Sequence, residues 1–320
     1  MDDRELDVVA LGELLIDFTI NGVSERGNQL FEANPGGAPC NVLSMLHNLG
    51  KKTSFIGKVG NDQFGILLKK TLEEIGIGTD NLVIDNEVNT TLAFVHTAPD
   101  GDRSFTFYRQ PGADMMLNES EIREEIIKKA RIFHFGTLSM TDVGIRKATE
   151  KALKIAKYNN LLISFDPNLR PPLWRSLNMA KDMIKYGLSQ CDILKISNDE
   201  LEFVTDCKTI EEGVKSLLKN YSIKLILVTM GKYGSKAYYK GLSVEKAGFI
   251  QENTIDTTGA GDTFCGCILN YVLEHGLDNL TESSLKDMLT FANAAASIIT
   301  TRRGAMRSMP SKEEIINLLS

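Results

Sequence analysis

Short apolar runs alternate with longer stretches of helical spacing along most of the chain. Residues 8–18 read as a strand. Residues 37–49 repeat their apolar positions at helical intervals through Val42, Met45, Leu46 and Leu49. Residues 53–59 form a second strand. Residues 64–75 form a helix, opened by an Asn61 or Asp62 cap and closed by Gly76. Residues 132–138, 161–165, 193–196 and 225–229 are short runs of the fully buried type, with helical stretches at 142–159 and 175–188 between them. Strand and helix in alternation imply crossover connections, hence a mostly parallel sheet covered on both faces.

Two alternating runs, 90–97 and 104–109, interrupt that rhythm. They are joined by Pro99-Asp100-Gly101-Asp102, a hairpin signal. Antiparallel strands inside an α/β chain predict a small projecting sheet, to which residues 14–34 contribute. Such a sheet either lids a site or shields the edge of the main sheet. From Ala260 the chain turns helical, over 260–275, 283–300 and 311–319. No repeat, low-complexity tract or Pro/Ser linker divides it, so one compact unit spanning 1–320 is expected, with its lid at about 14–34 and 90–110.

Charge and composition narrow the class. Acidic residues outnumber basic ones, 42 to 36, for a net charge of −6. A nucleic-acid partner would call for a basic stripe, and none is expected. An anionic ligand remains compatible, since a site is free to be locally positive. Cys40, Cys191, Cys207, Cys265 and Cys267 form neither CxxC nor a zinc spacing and read as reduced thiols. No signal-peptide pattern and no run of about 18 apolar residues occurs. A cytoplasmic protein without a membrane partner is expected, and Asn89-Thr90-Thr91 is then a chance glycosylation match.

Five segments can carry chemistry. In Asp256-Thr257-Thr258-Gly259-Ala260-Gly261-Asp262-Thr263-Phe264, small residues precede an apolar helix. Backbone N–H groups there would face one concavity at the positive helix end, an anion hole. Asp262 falls in the first turn, either as a base or as a dipole complement. Asn34-Pro35-Gly36-Gly37-Ala38-Pro39-Cys40-Asn41 opens the first long helix as a polyol site or a tight turn, with Asp17 at the end of the first strand. Asp166-Pro167-Asn168-Leu169-Arg170 is a phosphate-reaching loop or a proline-stiffened surface turn. Lys195-Ile196-Ser197-Asn198-Asp199-Glu200 offers Glu200 as an outer partner of hydrated Mg²⁺ or as a helix-start carboxylate. Thr229-Met230-Gly231-Lys232-Tyr233-Gly234 suits nucleotide contact or a plain hairpin. Walker A, protein-kinase and GxGxxG patterns are missing, which disfavours a P-loop nucleotide site and an NAD-dependent oxidoreductase. His47, His96, His134 and His275 have no partners at useful spacing, and Met115-Met116 reads as core.

Together these strings resemble the ribokinase/PfkB family of carbohydrate kinases, from Gly12 to about Pro310. GGAPCN is similar to its N-terminal signature and DTTGAGDTF to its C-terminal one. GELLIDF, GKVGNDQFG, RSFTFYR, FDPNLRPPLW and LKISNDELEF are most similar to its fructokinases. The resemblance implies a three-layer α/β/α domain with a β lid, ATP as phosphoryl donor and Mg²⁺ as helper. It makes Asp262 the base and Gly259, Ala260 and Gly261 the anion hole. It puts Asp17, Gly36, Gly37, Asn41, Phe107 and Arg109 on the sugar. Asn168, Arg170, Ser197, Thr229, Gly231, Gly234 and Asn293 fall on the nucleotide side. Ser197 departs from the family's Asn-x-x-Glu pattern, whereas Glu200 keeps its second position. A K⁺ site would use backbone near Asp256, Thr258, Gly304 and Ser308. The function implied is transfer of the γ-phosphoryl group of ATP to the 6-hydroxyl of fructose, with a homodimer formed through the lid. A 2-keto-3-deoxygluconate kinase is the rival enzyme, and a catalytically silent sugar- or nucleotide-binding regulator the non-enzyme reading.

Overall fold

A computed structural model describes residues 4–97 and 103–320; the turn Pro99-Asp100-Gly101-Asp102 lies outside them. In chain order the elements begin β1 Leu6–Leu11, β2 Leu15–Val23, β3 Gln29–Gly36, α1 Ala38–Asn48, β4 Thr53–Gly60, α2 Gln63–Ile75, β5 Gly78–Asp85, β6 Leu92–Thr97 and β7 Arg103–Tyr108. Then follow α3 Glu124–Lys128, β8 Ala130–Gly136, α4 Val143–Tyr158, β9 Leu162–Asp166, α5 Leu177–Leu188, β10 Ile193–Ser197, α6 Asn198–Thr205 and α7 Ile210–Asn220. The last are β11 Leu225–Thr229, β12 Ser235–Tyr239, β13 Leu242–Lys246, α8 Ala260–His275, α9 Glu282–Ile299 and α10 Lys312–Leu319.

Nine strands form the main sheet in the order β13-β12-β11-β10-β9-β8-β1-β4-β5. All its pairings are parallel except the two that add β12 and β13. Period-two alternation sends neighbouring side chains into two separate cores. Val8 and Ala10 join α1, α2, α8, α9 and α10 on one face, while Val9 and Leu11 join α3 to α7 on the other. This is the three-layer α/β/α architecture that the alternation of elements predicts.

Helix boundaries follow local chemistry. Asp62 caps α2 by accepting from Gly65 N–H at 2.8 Å, and Gly76 closes the helix in the left-handed region at φ 93°. Two strands were not expected from the sequence, β5 and β13, while β11 and β12 form the hairpin that Thr229–Gly234 offers as one alternative. The run 8–18 also splits. β1 stays in the main sheet, and after Gly12-Glu13-Leu14 the chain enters a second sheet as β2. Gly12 at the split lets the backbone pass close to α1, since a Cβ there would stand 2.5 Å from the Pro39 ring.

The second sheet has the order β3-β2-β6-β7, with β2 and β6 parallel. Its two faces differ. Phe18, Phe31, Phe94 and Tyr108 stack on one face, with Phe18 and Phe94 centroids 4.9 Å apart. Asp17, Phe105 and Phe107 point to the other, toward the C-terminal strand ends of the main sheet.

Candidate active site

The parallel strands β1, β8, β9 and β10 end at one edge of the sheet, where open α/β sheets place ligands. A cleft of about 290 Å³ lies there. Its wall carries Glu13, Asp17, Gly37, Asn41, Phe105, Phe107, Asn168, Arg170, Lys195, Thr258, Gly259 and Asp262. A second cavity of about 420 Å³ is walled by Thr229, Gly231, Gly234, Phe249, Ile250, Ala260, Phe264, Asn293 and Ala296. Thr257 and Gly261 line both. The start of α8 is therefore the partition between a polar chamber and a more apolar one.

Asp262 sits in the first turn of α8 and is 8% exposed. Its Oδ2 accepts from Asn41 Nδ2 at 2.8 Å, while Asn41 Oδ1 is buried without a partner among the described residues. Burial pushes the Asp262 pKa up, and Asn41, Lys195 and Arg170 pull against that rise. Gly259 adopts φ 79°, and a Cβ there would stand 2.8 Å from Ala305 Cβ. Gly36 leaves room for the Asp17 carboxylate, since a Cβ there would meet its Oδ2 at 2.4 Å. Burial, with Asp256 and Asp262 adding like charge against Arg170, raises Asp17 to about 7. Burial likewise raises Glu13 to about 7, although its Oε1 accepts Ala38 N–H at 2.8 Å.

Asn168 and Arg170, expected on the nucleotide side, line the polar cleft instead. The loop after β9 turns back over the sheet because Asn168 adopts φ 44° and donates its N–H to Asp166 Oδ1 at 3.1 Å. The Arg170 guanidinium lies 5.9 Å from the Phe105 ring centroid. Thr229, Gly231, Gly234 and Asn293 do line one cavity together. Gly234, at φ 104°, permits a backbone approach that a Cβ would block at 2.1 Å from Lys246 O. Asn293 Oδ1 accepts from Ser235 Oγ at 2.8 Å.

Three further sequence expectations need correction. Arg109 lies outside the polar cleft, in a third cavity of about 530 Å³ behind Phe105 and Phe107. Its Nη2 pairs with Asp114 at 2.7 Å, its Nε donates to Asp114 at 2.8 Å, and its remaining bonds go to Thr141 Oγ1 and Leu138 O at 3.0 Å. Ser197 and Glu200 line no described cavity wall. Ser197 caps α6 in a reciprocal box, with Glu200 Oε2 accepting from Ser197 N–H at 2.9 Å and from its hydroxyl at 2.8 Å. Glu200 Oε1 accepts Leu169 N–H at 2.7 Å. Both oxygens thus hold the chain together, and the carboxylate does not fit as a metal partner. Among the described residues no group of three or more His, Cys, Asp or Glu forms a metal cluster.

Around the expected K⁺ site, Thr258 N–H donates to Asp256 Oδ1 at 2.8 Å, and the 304–308 segment abuts Gly259 through Ala305. Gly304 takes φ 75°, while Ser308 O already accepts from Arg302 Nη1 at 3.1 Å.

Sequence reasoning assigned no role to Glu13, Asp166 or Lys195. Lys195 carried a usable signal, a charge inside an otherwise apolar buried-type strand. Its Nζ pairs with Asp166 at 2.9 Å. His134 is also buried near the cleft, its Nδ1 3.0 Å from Ser164 Oγ, and desolvation beside Lys195 lowers it to about 3.

A glycine-rich helix start, set between a polar chamber and a larger apolar one and carrying a buried carboxylate, suits a small-molecule phosphotransferase. The chain belongs to the pfkB family of carbohydrate kinases, whose model matches residues 5–312. It is 41% identical over 318 residues to Fructokinase-1 of Zea mays, covering 99% of this chain and 98% of that one. It is 40% identical over 314 residues to Fructokinase-2 of Solanum habrochaites, covering 98% and 95%. Fructokinase with bound ATP from Xylella fastidiosa superposes with a TM-score of 0.87 at 31% identity, over 98% of both chains. A double mutant of fructokinase from Vibrio cholerae O395, in fructose, ADP and potassium ion bound form, gives 0.88 at 28% identity, over 99% of this chain and 100% of that one. Among the described residues, no helix is long and apolar enough to cross a membrane.

Proposed function

We propose that the protein is an ATP-dependent fructokinase. The observation that carries this reading is Asp262 at the partition of the two cavities, hydrogen-bonded to Asn41 from the other helix. The sugar occupies the polar cleft, against Asp17, Gly37, Asn41 and Phe107. ATP occupies the apolar cavity, against Thr229, Gly231, Gly234 and Asn293, with its γ-phosphoryl group at the Gly259–Gly261 helix start. The 6-hydroxyl oxygen attacks the γ-phosphorus, the bond to the β–γ bridging oxygen breaks, and ADP leaves. The hydroxyl proton passes to Asp262, whose raised pKa makes it a better proton acceptor than an exposed carboxylate. Backbone N–H groups at the helix start meet the charge that develops on the phosphoryl oxygens.

Mg²⁺ would offset the charge of the nucleotide's phosphates; Glu200, committed to Ser197 and Leu169, does not fit as its partner. A monovalent cation would sit among the carbonyls near Asp256, Thr258, Gly304 and Ser308. Replacing K⁺ by a quaternary ammonium tests this: a fall in kcat supports it and no change refutes it.

Residues 1–320 work as one kinase domain with the small sheet as its lid. Phe105 and Phe107 cover the sugar and exclude water. The opposite face of that sheet exposes Ile20, Phe31 and Tyr108, the last 64% exposed, and pairs with a second copy of the chain. Light scattering of wild type and Tyr108→Ser tests the dimer.

A coupled assay of fructose, ribose, glucose, 2-keto-3-deoxygluconate and adenosine tests the substrate. The highest kcat/KM is expected for fructose; a clear preference for the keto-acid would move the assignment to the rival kinase, and no turnover of any acceptor would refute the kinase reading.

A further inference from the structure

Lys195 is the third residue of β10, whose other inward positions are apolar. Alternation directs its neighbours Leu194 and Ile196 into the core on the α3–α7 side, so Lys195 rises on the α8 side. There its side chain reaches the first turn of α8: a Cβ on Gly261 would stand 3.0 Å from its Nζ. Gly261 lines both cavities, and Lys195 itself lines the polar one. The ammonium therefore stands at the crossing point between the two chambers, within electrostatic reach of Asp262.

Its bonding is incomplete. An ammonium has three N–H groups. The described residues give it one ion-pair partner, Asp166, at 2.9 Å. A buried lysine carries a large desolvation cost, which one carboxylate offsets only in part. Asp166 in turn spends Oδ1 on the Asn168 N–H, so it fixes the lysine and the Arg170 loop at once. Arg170 lines the same cleft against Phe105, while the Lys195 ammonium lies beside Gly261 at the partition.

We propose that Lys195 is a catalytic residue: its free N–H groups bind the oxygens of the phosphoryl group as that group passes from the nucleotide cavity to the sugar, and Asp166 positions it. The assignment rests on the kinase reading above. A phosphoryl group in flight carries spread negative charge on its equatorial oxygens, and a charged donor already in place stabilises it without reorganisation. In this role the lysine acts on the phosphoryl oxygens as charge spreads over them, so its effect is expected on kcat more than on either KM.

The test compares wild type, Lys195→Met, Lys195→Arg and the double variant Lys195→Met/Asp166→Asn in full-length protein with fructose and ATP. Lys195→Met is expected to lower kcat by about 10²–10³-fold, the usual loss for one such donor, with both KM values within about threefold. Lys195→Arg, which keeps the charge, is expected to recover part of the loss. The double variant removes the unpaired buried carboxylate that the single change leaves behind. It is expected to fold even if the single variant does not, and its kcat is expected to stay low. Recovery of kcat in the double variant to within about threefold of wild type would show that Lys195 only neutralises Asp166, and would overturn the proposal. So would a Lys195→Met enzyme with near-normal kcat. Wild type that phosphorylates no acceptor would overturn the kinase reading, and this assignment with it.

Discussion

Arg109→Ala separates two accounts of the strand that faces the cleft. The sequence expectation places this arginine on the sugar, so that its loss raises the sugar KM. The geometry places it elsewhere. Its guanidinium and the Asp114 carboxylate are each 2% exposed and 2.7 Å apart. Thr141 and the Leu138 carbonyl take further N–H groups, and Thr91 Oγ1 donates to Asp114 from the other side. Truncation strips the charged partner from a buried carboxylate, a loss of about 3–5 kcal/mol. An unfolding entropy of about 2.1 cal/mol/K per residue, over 320 residues, is roughly 0.67 kcal/mol/K. The midpoint of thermal unfolding should therefore fall by about 4–8 °C. Circular dichroism melts read that shift, and kinetics taken well below the new midpoint read the site. The sugar KM is expected to move little, because Phe105 and Phe107 stand between Arg109 and the cleft. Adding Asp114→Asn should return part of the lost stability, since it removes the orphaned charge. An unchanged melt combined with a sugar KM raised tens-fold would refute the structural account and restore the arginine to the substrate.

Asp262→Asn keeps shape and removes the base, so kcat should fall by about 10²–10⁴-fold with both KM values little changed; a variant retaining a tenth of wild-type kcat would refute the assignment. Gly261→Val puts a branched side chain against Lys195 Nζ, where even a Cβ comes to 3.0 Å. Turnover should collapse while the circular dichroism spectrum persists, and unchanged kcat and ATP KM would show the helix start to be only a turn. Glu13 binds its proton up to about pH 7 in the folded chain, against 4.5 as its ordinary value. Its contribution to stability is therefore full below about 4.5 and is lost as pH rises to about 7, to a limit of about 3 kcal/mol. Glu13→Gln still accepts the Ala38 N–H, so denaturation across that range should show a smaller pH dependence; an identical slope would refute it.

What could be read in the sequence was local. The Asp62 cap and the Gly76 stop define α2 within a few residues of themselves, and the small residues of GAGD announce a helix start that backbone can use. The capping box of Ser197 and Glu200 is equally local, a Ser-x-x-Glu spacing, and it favours the helix-start carboxylate over the metal partner that the same segment offers. Alternation correctly groups Phe105, Phe107 and Arg109 on one face of β7. It cannot say that Asp114, five residues on, draws the arginine out of the cleft the phenylalanines line. Asn168 and Arg170 show the same limit: their loop is legible as polar and turn-prone, but the chamber it leans over depends on the Asp166 and Glu200 anchors.

The central pair of the site is the least local of all. Asn41 and Asp262 are 221 residues apart and 2.8 Å in contact. They meet because α1 and α8 pack on the same face of the sheet, at a distance set by Gly266, where a Cβ would stand 2.8 Å from Met45 Cβ. Gly266 lies one turn beyond Asp262 and Met45 one turn beyond Asn41, so the small residue that lets the helices approach sits one turn below the polar contact. The apolar packing thus fixes the separation at which an amide on one helix meets the carboxylate on the other. The carboxylate that the chemistry needs is oriented by a contact between two signatures, GGAPCN and DTTGAGDTF, that in sequence look independent.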